Sequence, residues 1–180
     1  MAISIHEVYP GHYLHYQHLK RIRSKLRKSI MFSATSFVEG WAHYCEQMMN
    51  DEGFGEGDPL IRLGQLSESL IRLARFVVGI RLHAEDLSVE QGMRFFRDEA
   101  FMEESNARRE AERGTFDPGY VVYAAGKLML AKLREDYEAQ EGSSFTLKKF
   151  HDRLLANGGV PIPVHRRLML NDSRGTLFES

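Results

Sequence analysis

The 180-residue sequence contains one cysteine, Cys45, which excludes an intramolecular disulfide framework. A buried structural thiol is the expectation for that residue. No stretch approaches the roughly 20 apolar residues of a membrane span. Residues 1–15 lack the positively charged start and apolar core of a signal peptide, so the cytoplasm is the favoured location. A formal net charge of −1 offers no overall electrostatic case for nucleic acid or a membrane, and neither is expected as a partner. Glycine-rich phosphate loops, internal repeats and strand-like alternation are also missing. What is present is 43% hydrophobic residues, enough for a core. The expectation is a single helical domain over 1–180 with a flexible tail at 171–180.

The chain is organised around Ile5-His6-Glu7-Val8-Tyr9-Pro10-Gly11-His12. A His-Glu pair followed by a second His can hold a divalent metal with a carboxylate beside it. In the familiar His-Glu-x-x-His arrangement the two imidazoles lie one helical turn apart. Here they are six positions apart, and an unbroken helix would point them roughly 120° away from each other. Pro10 cannot donate to the carbonyl of His6 and crowds it. Gly11 accepts backbone angles closed to other residues. A kink or bulge there would return His12 to the face of His6, leaving Glu7 as a general base. The competing reading is a histidine-rich helix end with a proline kink and no metal.

A catalytic zinc site takes three protein ligands and leaves a fourth position open. Glu39 is the best third ligand. Helical spacing places Glu39, His43 and Glu46 on one face of an apolar segment that also holds Val38, Trp41, Ala42, Tyr44 and Met48. Carboxylates and an imidazole in such company are costly to bury unless paired or metal-bound. The alternatives are a capping box from Ser36 to Glu39, a solvated Glu46, and a His43 that orients a ligand through a hydrogen bond. His12 with His15 forms a second possible ligand pair, ranked lower because it places no carboxylate like Glu7 at the metal.

Three blocks together resemble the bacterial zincin-like family catalogued as "domain of unknown function 885": His6-Glu7-x-x-Pro10-Gly11-His12, then Glu39-Gly40-Trp41-Ala42-His43-Tyr44-x-Glu46, then Asp117-Pro118-Gly119-Tyr120-Val121-Val122-Tyr123-Ala124-Ala125-Gly126-Lys127. That family is related to the helical zinc peptidases of the carboxypeptidase Taq and angiotensin-converting-enzyme kind. The resemblance implies an all-α, zincin-like metallopeptidase that hydrolyses peptides, carboxypeptidase-like in one version. Zn2+ would be held by His6, His12 and Glu39, with Glu7 as base. Tyr123, with Tyr120 in reserve and His83 assisting, would steady the oxyanion. Family members are longer, with the motif in their C-terminal half, so this chain is expected to be such a C-terminal half. The alternative function is a catalytically inactive helical metal-binding or assembly module. Surface left by a missing N-terminal half would then support a homo-oligomer.

Helices are expected over residues 5–28, 36–50 and from Leu60 to about Ala84, the last capped by Asp58 with Pro59 at its first position. Further helices are expected after a Ser88–Gln91 capping box, from Met102 to Arg113, after Asp117-Pro118, and from Thr146 to Asn157. Val160–Pro163 reads as extended and His165–Leu170 as a final turn. The basic run from Lys20 to Lys28, interleaved with Leu19, Ile22, Leu26 and Ile30, reads as the solvated face of a helix in preference to a nucleic-acid patch.

Overall fold

The computed structural model describes residues 1–172 and residue 174. Most of the expected flexible tail therefore lies outside the described residues. Within them every regular element is helical: α1 (Ala2–Glu7), α2 (His12–Arg21), α3 (Thr35–Asp51), α4 (Pro59–Ala84), α5 (Val89–Glu99), α6 (Glu104–Gly114), α7 (Val122–Glu141), α8 (Leu147–Ala156) and α9 (Ile162–Met169). Short 3-10 turns occupy Ile30–Phe32, Pro118–Val121 and Gly142–Ser144. No helix is long and apolar enough to cross a membrane, among the described residues.

Several helix starts follow from local chemistry. The Asp58 carboxylate accepts from the Leu60 amide, with Pro59 in the first turn of α4. Ser88 and Gln91 form a reciprocal capping box at α5, each side chain accepting from the other's backbone amide. The Thr146 hydroxyl accepts from the Lys149 amide at α8. At α6 the cap is Glu103, whose carboxylate accepts from the amides of Ser105 and Asn106. At α9 the helix begins at Ile162, earlier than the run Val160–Pro163 suggests. Pro161 supplies the extended entry, and Pro163 lies in the first turn, where its missing N–H costs nothing.

The chain divides into two compact units, Met1–Ala2 with Gln47–Ala125, and Ile3–Glu46 with the segment from Gly126 onward. The first is built on α4, α5, α6 and the Pro118–Val121 turn, around Ala74, Val78, Met93, Phe96, Ala107, Ala111 and Tyr120. A bidentate pair from Arg75 to Glu110, at 2.8 and 2.6 Å, ties α4 to α6 there.

In the second unit, α2 packs on α8 and α8 on α9. Phe37, Trp41, Leu130, Leu133, Tyr137, Phe150, Leu154 and Ile162 are buried. The helices α3 and α7 meet glycine to glycine in this unit. A Cβ on Gly126 would fall 1.9 Å from the Ser36 carbonyl oxygen, and one on Gly40 would fall 2.5 Å from the Gly126 carbonyl carbon.

The same unit buries imidazoles. His15 meets the edge of Phe37, and Phe37 lies 4.2 Å, centroid to centroid, from His165. His151 packs against Trp41 and shares a 3.0 Å hydrogen bond with the Tyr44 hydroxyl. Burial, aided by neighbouring positive charge, pushes His15 and His151 down to about 4 and His165 down to about 3. A histidine that stays neutral when folded and protonates near 6.5 when unfolded stabilises the fold fully above that pH. That contribution is lost as pH falls through the folded value. Stability should therefore drop from about pH 6.5 toward pH 4, by roughly 1.4 kcal/mol per pH unit for each of these histidines. Urea midpoints measured across that interval should show it, and His165→Gln should remove close to one proton from the slope. An unchanged slope would place His165 in water.

Candidate metal centre

The expected kinked helix over 5–28 is two helices joined by a tight turn. The helix α1 stops at Glu7 and α2 starts at His12. Between them the Gly11 amide donates to the Ile5 carbonyl at 3.0 Å, and the Tyr9–Pro10 peptide is cis. The backbone of Gly11 presses so closely on the end of α1 that a Cβ would fall 1.8 Å from the His6 carbonyl oxygen. Only glycine fits this approach. The result is the convergence that an unbroken helix denies, with the rings of His6 and His12 edge to face at 4.8 Å.

The turn is held by α3. The Trp41 indole N–H donates to the carbonyls of Pro10 at 3.0 Å and Gly11 at 3.3 Å, and the Cys45 thiol donates weakly to the same Pro10 carbonyl. Burial pushes that thiol well up, with the Glu46 charge adding to the effect, so Cys45 is the inert structural thiol expected of it. Two residues before Trp41 on the same helix, Glu39 reaches the two imidazoles. Its Oε2 lies 3.4 Å from His6 Nε2 and 3.5 Å from His12 Nε2.

On the far side of His6, Nδ1 donates to the Glu46 carboxylate at 2.7 Å. Glu46 is fully buried, not solvated. It is the partner that fixes the His6 ring, a role the spacing offered to His43. The Nδ1 of His12 is buried with no hydrogen-bond partner among the described residues, so among them only one of the two imidazoles is oriented in this way. Tyr16, one turn along α2, stacks on His12 with centroids 6.1 Å apart. Burial, then the charges of Glu39 and Glu7, raises its phenol, which places both carboxylates near it.

These distances fit a cation. Charge-assisted N–H to carboxylate hydrogen bonds run about 2.7–2.9 Å, the length of the His6–Glu46 contact. The two contacts of Glu39 are longer than that. They match the edge of a tetrahedron whose ligand bonds are about 2.0–2.1 Å, which is about 3.3–3.4 Å. All the donor atoms of His6, His12 and Glu39 lie within 4.8 Å of one another. Two imidazoles and one carboxylate suit a borderline metal such as zinc. Burial raises the Glu39 carboxyl, but hydrogen bonds and charge from His12 and His6 outweigh it and hold it down at about 2. It is ionised at neutral pH and ready to ligate. The cluster can hold one divalent metal ion.

Glu7 is exposed on the last turn of α1 and makes no hydrogen bond or ion pair among the described residues. The other sequence-derived candidates lie in the first unit. The Tyr120 hydroxyl donates to the carbonyl and carboxylate of Glu110, at 3.0 and 2.8 Å, and the ring is buried. The Arg75 guanidinium lies over both the Tyr120 and Tyr123 rings. His83 shares a 2.9 Å hydrogen bond with the Gly114 carbonyl through Nε2.

An all-α chain with a two-histidine, one-carboxylate cluster is thus the class defined by fold and site. The chain belongs to the family described as bacterial protein of unknown function (DUF885), which it matches over residues 1–169. It is similar to the structure of a candidate lipoprotein of unknown function from Shewanella oneidensis. The TM-score is 0.89 at 30% identity, covering 94% of this chain and 31% of that one. It is also similar to a candidate lipoprotein from Colwellia psychrerythraea, with a TM-score of 0.86 at 33% identity, covering 93% of this chain and 29% of the other. The chain therefore spans less than a third of the length of either. No curated protein matches it. These similarities overturn two expectations, the cytoplasmic location and the partner set without a membrane. Both similar proteins are described as lipoproteins. The lack of a leader-like pattern in residues 1–15 and the near-zero net charge were the grounds for those expectations. Neither bears on a lipid attachment made elsewhere in a longer chain.

Proposed function

We propose that this chain is the metal-binding helical module of a longer, membrane-associated protein, and that it holds one zinc ion through His6, His12 and Glu39. The observation that carries this reading is the pair of contacts from one Glu39 oxygen to two imidazole nitrogens at 3.4 and 3.5 Å. The fixed His6 ring supports it, since an outer carboxylate on the second imidazole nitrogen is the usual companion of a zinc histidine. The membrane setting rests on the lipoprotein description of the two similar structures.

A second reading makes the module the C-terminal half of a zincin-like peptidase, and the position of Glu7 favours it. When bound, zinc supplies Lewis acidity that brings the pKa of water toward neutrality. Glu7, next in sequence to His6 and in no ion pair among the described residues, takes the proton from a water that attacks the peptide carbonyl carbon. It then passes that proton to the leaving amine nitrogen as the C–N bond breaks. Tyr123, with Tyr120 and His83 as further candidates, would donate to the carbonyl oxygen as negative charge builds on it. The two readings separate in one experiment. If the chain is a peptidase, the zinc-loaded form cleaves a mixed peptide library, and Glu7→Gln lowers the rate by about 10²–10⁴-fold with zinc retained. A zinc-loaded chain that cleaves nothing leaves the module reading alone. A chain that retains no zinc ends both.

A further inference from the structure

The segment between α2 and α3 holds no α-helix, only the 3-10 turn at Ile30–Phe32, yet it is not loose. The helix α2 stops at Arg21, with Ile22 in an extended conformation. The following chain is then caught twice by one residue. The Gly159 amide donates to the Arg27 carbonyl at 2.9 Å, and the Gly159 carbonyl accepts from the Ala34 amide at 2.8 Å. Residues 28–33 stand out between these two feet and close on themselves through Ser29 to Leu26, Phe32 to Ser29 and Ser33 to Ile30 backbone bonds. The tip is apolar. Ile30, Met31 and Phe32 are 70%, 88% and 70% exposed, and Leu26 is 62% exposed.

Around this tip the exposed charge is predominantly positive; the one acid beside it, Asp152, lines the same hollow as Arg21, Arg23 and Arg27 and is paired with Lys148. Lys20, Arg21, Arg23, Lys25, Arg27 and Lys28 are all exposed, and none forms an ion pair among the described residues. From Val8 to Val38 the sequence has no aspartate or glutamate at all, in a chain whose net charge is −1. A surface that needed only solubility would mix its signs, as the Arg108–Glu90 and Arg97–Glu104 pairs of the first unit do.

We propose that residues 20–32 form a docking element for an anionic phospholipid bilayer. The cations would settle among the headgroups, and Ile30, Met31 and Phe32 would enter the acyl boundary. Clustered lysine and arginine beside exposed apolar side chains is the chemistry that a negatively charged lipid surface recognises. Nucleic acid would use the cations but would leave three consecutive apolar side chains in water. A second copy would bring six like charges against six. The double hold by Gly159 keeps the tip presented, so little ordering is left for the moment of contact. The proposal does not depend on the metal, because none of these residues touches the cluster.

The test is co-sedimentation of the 180-residue chain with vesicles of phosphatidylcholine alone and of mixed phosphatidylcholine and phosphatidylglycerol. Binding is expected to the mixed vesicles only, and should weaken as salt shortens the screening length from about 10 Å to 3 Å. Replacing Lys20, Arg23, Lys25 and Lys28 together by Gln should lower binding by roughly a hundredfold or more. Met31→Ser with Phe32→Ser should lower it by about tenfold or more. An unchanged helical circular dichroism spectrum and urea midpoint in each variant show that the fold persists. Equal binding to both vesicle types, or none to either, overturns the proposal. So does self-association or binding to a DNA duplex that disappears in the same variants while lipid binding is absent.

Discussion

His12→Ala should cost the chain its zinc. The imidazole contributes one of three donors, and its Nε2 faces the Glu39 oxygen across 3.5 Å. Removing it leaves His6 and Glu39, too few to hold a catalytic-type zinc against water and buffer. The loss should exceed the roughly 10–100-fold that follows from removing an outer partner of a ligand. Glu46→Gln supplies that smaller reference. It keeps an acceptor near His6 Nδ1 but withdraws the charge now 2.7 Å away, and should weaken zinc by about 10–100-fold without changing the stoichiometry. Competition against a chromophoric chelator ranks the three proteins. Equal affinity in His12→Ala and the wild type would mean that the cluster is an ion-paired trio and not a metal site.

Gly126→Ala should be among the most damaging single methyls in the second unit, alongside Gly11→Ala. A Cβ on Gly126 would lie 1.9 Å from the Ser36 carbonyl oxygen and 3.0 Å from the carbonyl carbon. Both are backbone atoms, so no side chain can rotate away and the helix α3 itself must shift. Overpacking of this kind costs about 1–3 kcal/mol, more where nothing yields, and about 3 kcal/mol or above is expected here. Because α3 carries Glu39, Trp41 and Glu46, zinc affinity should fall along with the urea midpoint. Gly64 is the control. It sits inside α4 with no atom within 4 Å of an added Cβ. Gly64→Ala should therefore stabilise by roughly 0.5–1 kcal/mol through helix propensity alone. If Gly126→Ala behaves like Gly64→Ala, the two helices do not cross as closely as described.

Features set by neighbouring residues were readable from the sequence. Asp58 with Pro59, Ser88 with Gln91, and Thr146 all cap helices as their side-chain chemistry dictates. The convergence of His6, His12 and Glu39 was readable too, because two imidazoles near a proline and glycine, and a carboxylate in an apolar helix, each need an explanation. What escaped depends on partners distant in sequence. A first helix over 5–28 with a defect at Pro10-Gly11 was a fair reading of periodicity. The defect is a full break, held by the Trp41 indole on the Pro10 and Gly11 carbonyls, and the helix beyond it stops at Arg21, with Arg27 captured by Gly159. The choice of Glu46 to orient His6 could not be made from spacing, since His43 shares the same face. Likewise, Arg108 pairs with Glu90 on another helix, although its own helix offers Glu104 at the favoured spacing.

The grip of Trp41 on the Pro10–Gly11 turn has a thermodynamic corollary. His6 and His12 share a face only while that indole is in place, so an unfolded chain has two histidines in an open peptide and a glutamate 27 residues beyond the second of them. A cation that binds the assembled triad and ignores the open chain draws the folding equilibrium toward the native state. At a free concentration a hundredfold above its dissociation constant, the gain is about 2.7 kcal/mol. The ion would thus act as a staple across the chain, and a chelator would register as a lower melting temperature even where no reaction is being followed.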